Sequence, residues 1–217
     1  MQKDFIITLA WPEGEIAAAG SWYDFLFSKN GKYRVGHSAM VLISATTNKA
    51  HYFDFGRYHS KEGFGRVRDV ETDPDTHVID AKITNGKVEN IEAILVHLSE
   101  MKSSHGEGKL YASLINNIDF NKAFCYAKKI QNRGLLPYGP FVRPGTNCSR
   151  FVANVIKSSG PSWIKRLRLT YPFCISPSPK RNVCIVNNHY YVVHNKSCIK
   201  IKKSKLKAYF SSIEVKI

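Results

Sequence analysis

With 217 residues, 43% of them apolar, the chain can fold around its own core as one large domain, or as one domain with an appendage. Its five cysteines are odd in number and irregular in spacing, which argues against a disulfide framework and for a reducing compartment, so a cytoplasmic location is expected. The formal charge of +15 is concentrated after Pro161, where twelve Lys or Arg face one acid, Glu214; such a tail can attract a polyanion (phosphate, anionic lipid or an acidic wall polymer), and a solvated basic surface is the plainer reading.

Phe5 to Ala10 reads as a short buried strand stopped by Trp11-Pro12. With an acid at Asp4 this run is too short for a signal peptide, and no later run reaches the ~18 apolar residues of a membrane helix, so no transmembrane segment is expected. The aromatic segment from Gly20 to Phe27 fits no element. Tyr33 to Ile43 and Ala50 to Gly56 are apolar and β-branched around the turn residues Ser44 to Lys49, which predicts a β-hairpin. Gly56 to Asp75 reads as a loop, and His77 to Thr84 as a strand ending at the Asn85-Gly86 turn. Helical spacing follows from Val88 to Leu98, then a break at Ser104 to Gly108, a strand from Leu110 to Ile115, and a helix capped by Asp119 and stopped at Gly134. A Pro/Gly loop from Leu135 to Asn147 leads into a helix that starts at Cys148 and ends before Gly160-Pro161. Beyond it, Val183 to Val186 and Tyr190 to Val193 read as a hairpin around Asn187-Asn188-His189.

A thiol at a helix N-terminus is stabilised as thiolate by unpaired N–H groups and the dipole, and that is the setting of Cys148. A buried structural cysteine is the commoner fate of such a residue. His37, on a rigid strand, supplies what the thiol lacks, an imidazole able to take its proton. Gly36-His-Ser-Ala-Met-Val-Leu-Ile, Pro137-Tyr-Gly and Gly145-Thr-Asn-Cys-Ser-Arg-Phe-Val together resemble the papain-superfamily cysteine hydrolases of NlpC type, in the permuted order where the His strand precedes the Cys helix. Residues 1–160 also resemble a bacterial family of that type with the blocks Tyr52 to His59 and His105 to Gly108, a likeness that implies no substrate. The resemblance implies an α+β, papain-like fold with the Cys helix packed on an antiparallel sheet. It makes residues 1–160 the catalytic domain and 161–217 a basic C-terminal extension, an added lobe or part of the same domain.

If Ile43 pairs with Ala50, then Ala39 faces Asp54 and Asp54 lies diagonally from His37 on one face. The third residue of NlpC-type sites, by resemblance, takes the same position. A one-residue shift in the turn would select His51 instead. Tyr138 matches the tyrosine that lines NlpC-type sites, against a reading as a loop aromatic packed between prolines. With the Cys148 N–H, its hydroxyl is a candidate oxyanion donor.

Cys174, Cys184, His189, His194 and Cys198 lack paired metal-ligand spacing, and no phosphate-binding Gly loop, dinucleotide fingerprint or His-Glu-x-x-His helix occurs, so no metal or cofactor is expected. His105-Gly-Glu-Gly with Arg57, Arg66 and Arg68 reads as a cleft border or a solvated loop. Lys200 to Lys207 reads as a lysine-guarded edge strand, ahead of a nucleic-acid or membrane patch. The function expected is hydrolysis of an amide or ester in a peptide or acyl substrate through an acyl-enzyme, favouring cell-wall-like peptides by resemblance. The rival is a non-catalytic peptide- or lipid-binding module with a polyanion-binding tail.

Overall fold

The computed structural model describes residues 3–17, 32–34, 36–171, 174–204 and 206–207; the aromatic segment 20–27, Val35 and Lys205 lie outside the described residues. The strands are β1 (Asp4–Trp11), β2 (Glu15–Ala17), β3 (Lys32–Arg34), β4 (His37–Ile43), β5 (Ala50–Gly56), β6 (Phe64–Arg68), β7 (Ile83–Thr84), β8 (Lys87–Val88), β9 (Leu110–Ile118), β10 (Leu136–Pro137), β11 (His189–His194) and β12 (Ser197–Lys202). The α-helices are α1 (Ile91–Glu100), α2 (Phe120–Gln131), α3 (Cys148–Ser158), α4 (Trp163–Thr170) and α5 (Pro179–Val186). Eight strands build one antiparallel sheet in the order β10-β6-β5-β4-β1-β9-β11-β12, which makes the fold α+β.

Side chains alternate across a strand, so the central strands feed two cores. Phe5, Ile7, Leu9, Ala39, Val41 and Ile43 meet Ile94, Leu95 and Leu98 of α1 on one face. Ile6, Met40, Leu42, Phe53 and Phe55 meet α2, α3 and α5 on the other. The β4–β5 hairpin has the register that its turn predicts, Ile43 opposite Ala50 and Ala39 opposite Asp54.

Three expectations need correction. The Gly56 to Asp75 stretch contains β6, paired to β5; the strand is hard to see in the sequence because only Val67 enters the hydrophobic core, while its other inward side chain is an arginine, Arg68, which is 3% exposed. His77 to Thr84 is irregular except for Ile83–Thr84, which pairs with β8 across Asn85 and Gly86, both at positive φ as a tight primed turn requires. Val183 to Val186 is helix, not strand. Ser178 accepts from Arg181 N–H at 3.2 Å, Pro179 presets the first turn, and burial of Asn182 through Val186 overrides the β-propensity of the valines and isoleucine. The hairpin formed instead is β11–β12.

That hairpin extends the main sheet: Tyr191, Val192 and Val193 pair with Ala112, Tyr111 and Leu110. β12 is the sheet edge, carrying Lys200 and Lys202 as the guarded-edge reading expects. Among the described residues no helix is long and apolar enough to cross a membrane. Val183, Ile185, Val186, Val192 and Val193 are each at most 2% exposed. At about 1.5–3 kcal/mol per fully buried aliphatic side chain, their loss is comparable with the ~5–15 kcal/mol net stability of a domain. A chain ending at residue 160 is therefore expected to lose its cooperative thermal transition, as followed by circular dichroism; a transition matching that of the full chain would mark residues 161–217 as a separable lobe.

Candidate active site

Two local features bring a thiol and an imidazole to the ends of their elements. Asn147 caps α3, its side chain accepting from Arg150 N–H at 2.9 Å, so Cys148 is the first helical residue and its N–H has no carbonyl one turn back. The loop before it is tied by Arg150, whose guanidinium donates to the carbonyls of Gly139, Val142 and Gly145 at 2.7, 3.2 and 3.2 Å. On the strand side, Gly36 has φ +64, and a Cβ there would strike the Trp11 carbonyl and the Pro12 backbone. Only glycine lets β4 enter so close to β1, and His37 follows immediately.

The His37 ring is held from several directions. Its Nε2–H donates to Asp54 Oδ2 at 3.1 Å, and the Tyr58 hydroxyl oxygen lies 3.3 Å from the same nitrogen. Trp11 stacks on the imidazole with centroids 5.9 Å apart. Gly106 lets the His105 block close on Trp11, since a Cβ there would run into the indole, and His105 packs on Tyr58 at 5.1 Å. With Nε2 turned to Asp54, Nδ1 is the nitrogen left for the Cys148 thiol, which lies close enough for each group to shift the other.

Asp54 is fully buried and accepts five hydrogen bonds. Oδ2 takes His37, the Tyr52 hydroxyl at 3.0 Å, the Tyr58 hydroxyl at 2.9 Å and Arg68 Nη2 at 2.7 Å; Oδ1 takes Arg68 Nε at 3.1 Å. Arg68 faces Asp54 across β5–β6, and its guanidinium lies 3.3 Å from the centre of the Tyr58 ring. Burial disfavours the Asp54 carboxylate, but His37 and Arg68 outweigh it and hold the group well below the usual carboxylate range. For His37, burial opposes protonation and is overcome by Asp54 and by Cys148, which raise it to about 9. Burial pushes the Cys148 thiol up, yet its hydrogen bond to His37, the charge of that ring and the Ser38 N–H bring it below its ordinary value.

Cys148, His37 and Asp54 thus lie together. His51 does not join them; it projects to the opposite face and packs on Phe120 and Phe124 at 5.4 and 5.3 Å. Tyr138 is half-buried, stacked on Phe55 at 5.7 Å, and Phe55 in turn contacts Phe151 of α3. The tyrosine whose hydroxyl reaches His37 and Asp54 is Tyr58; sequence reasoning assigned no role to it or to Tyr52, and Arg68, expected at a cleft border or in a solvated loop, is instead buried against Asp54. Tyr52 shares a face with Asp54 by the two-residue period and could have been found; Arg68 required knowledge of β6. A cavity of about 700 Å³, bordered by Tyr126, Arg133, Arg143, Arg150 and Phe151, lies beside α3 without touching Cys148, His37 or Asp54. The titratable cluster, rather than this cavity, marks the site.

The sequence profile of the type VI secretion system effector TseH-like family matches residues 6–162. No curated protein gives a significant match. Among solved structures, the crystal structure of the type VI secretion system effector TseH is similar in fold, with a TM-score of 0.63 and 18% identity, over 92% of this chain and 98% of that one.

Because the folded Asp54 is depressed below its unfolded value, its stabilisation is complete above about pH 4 and is lost as pH falls through the lower folded value. Asp54→Asn is expected to remove that part of the acid limb and to cost about 3–5 kcal/mol, because Arg68 is left buried without its partner. Urea unfolding at neutral and acid pH measures both.

Proposed function

The chain belongs to the type VI secretion system effector TseH-like family, and on that premise we propose that it is a cysteine hydrolase of the papain-like, permuted NlpC type. Cys148 is the nucleophile, His37 the general base and Asp54 the residue that orients His37. The observation that carries this reading is a helix-start thiol set beside an imidazole already fixed by a buried carboxylate, each group shifted toward its charged form by the other.

In the reaction, His37 Nδ1 takes the proton from Sγ, and the thiolate attacks the substrate carbonyl. The developing oxyanion faces the N–H of Cys148 at the start of α3, where the helix dipole favours negative charge. The imidazolium, steadied by Asp54, returns its proton to the leaving amine or alkoxide as the thioester forms. Water, deprotonated by His37, then attacks the thioester, and collapse of that intermediate expels the Cys148 thiolate. Tyr138 is assigned to the wall of the substrate cleft, where it borders the loop leading to Cys148. The amide of a short, cell-wall-like peptide is the favoured bond, on the strength of the NlpC resemblance.

Residues 1–160 carry the three reacting side chains, and we assign the extension to the same unit. Asn147 Nδ2 donates to Ser176 Oγ at 2.5 Å and Asn182 Nδ2 to the Ser149 carbonyl at 2.8 Å, so the extension braces the helix start that presents the thiol. For the product of a secretion system, free thiols indicate the compartment of synthesis rather than the site of action.

Alkylation by a small iodoacetamide reagent, mapped by mass spectrometry, tests the pair. Near neutral pH Cys148 is expected to react faster than the exposed Cys125 and Cys174, and to hold its rate as pH falls where an ordinary thiol loses about tenfold per unit. His37→Ala should abolish that advantage, and Cys148→Ala should abolish release of products from peptide amides. Equal rates at all accessible thiols, with peptide bound but not cleaved, would establish a binding module instead.

A further inference from the structure

α4 is amphipathic in the wrong sense for a helix packed on a protein. Leu169 is its one buried residue, while Trp163, Ile164, Leu167 and the following Tyr171 are 73, 50, 48 and 56% exposed. At 100° per residue these four fall within an arc of about 100°, so they make one continuous apolar stripe turned to solvent. Scattered exposed apolar residues need no explanation, but a contiguous stripe headed by a tryptophan does.

Cations border the stripe on both sides, Lys165 and Arg168 along one edge and Arg166 along the other, by the same helical spacing. From Pro161 to Lys207 the chain contains no Asp or Glu. Lys157 and Arg181 add to the group. Burial lowers Lys157 and Lys165, and the charged neighbours acting on these two lysines are arginines. A helix of two turns, about 12 Å long, presents too little surface for a stable protein interface of ~800 Å² per partner. A bilayer asks less: a few apolar side chains at the acyl boundary, aromatic rings at headgroup depth, and cations facing anionic lipid.

We propose that α4 is a membrane-surface anchor, seating Trp163, Ile164 and Leu167 in the headgroup region of an anionic bilayer with Lys165 and Arg166 on its phosphates. The anchor is independent of the reaction at Cys148.

Vesicle co-sedimentation with the full chain tests it, using phosphatidylglycerol–phosphatidylcholine vesicles against pure phosphatidylcholine. Binding is expected to be at least about tenfold tighter to the anionic vesicles, to weaken as salt rises, and to shift tryptophan emission to the blue. W163S/I164S/L167S should lower the affinity about tenfold or more, and Lys165→Glu with Arg166→Glu should do the same on anionic vesicles only. An unchanged Cys148 alkylation rate in these variants shows that they fold. The proposal is overturned by absence of vesicle binding, by equal binding of both vesicle types, or by undiminished binding of the triple variant. It is overturned equally if the stripe instead drives dimerisation that the triple variant abolishes, or if an acidic polymer binds more tightly than vesicles and ignores the stripe.

Discussion

Asp54 and Arg68 are both removed from water, and moving either ion alone into the interior costs several kcal/mol. They are tolerated because β5 and β6 place them opposite each other, with a bidentate contact that satisfies charge and geometry together. Tyr52 and Tyr58 occupy further lone-pair positions of the carboxylate, leaving it no role but that of a fixed anion. The orientation of His37 follows from that fixed anion, since Nε2–H must point to Oδ2 and Nδ1 must then face the thiol. A register slip of one residue in either hairpin would unpair a buried charge, which ties the stability of the sheet to the geometry of the site.

The imidazole is also confined sterically. Trp11 covers one side, and Gly36 and Gly106 are the positions where a side chain would displace that indole or the strand beside it. The thiol is placed by a separate device, the Arg150 staple on the Pro/Gly loop with the Asn147 cap. Two local constructions, one on the sheet and one on α3, meet at a single contact. The extension reaches both sides of that joint, pairing β11 with β9 and bonding to Asn147 and Ser149.

Positive charge in the extension has two physical uses. On β12 the lysines keep a sheet edge from pairing with another chain. Around α4, Lys165 and Arg166 lie beside exposed apolar side chains, and the charged neighbour acting on Lys165 is another cation, Arg168. The same residue type therefore serves as a guard in one place and as an attractive group in the other, according to what the backbone sets beside it.

Local chemistry by itself pointed to the helix starts at Asp119 and Cys148 and to the β4–β5 hairpin, whose register sets Asp54 diagonal to His37 if Ile43 pairs with Ala50, because caps, turn residues and the two-residue period act over a few positions. The family likeness joined Cys148 to His37, residues far apart along the chain. Tertiary structure alone decided that 64–68 is a strand, that Val183 to Val186 is a helix, and that Tyr58 and Arg68 complete the site. A buried arginine reads as a surface residue until its partner is known, and β-branched residues buried on all sides follow their surroundings rather than their propensity. Asp54 could be chosen from the hairpin, whereas the charge that makes a buried Asp54 tolerable comes from a strand that pairing across the sheet reveals.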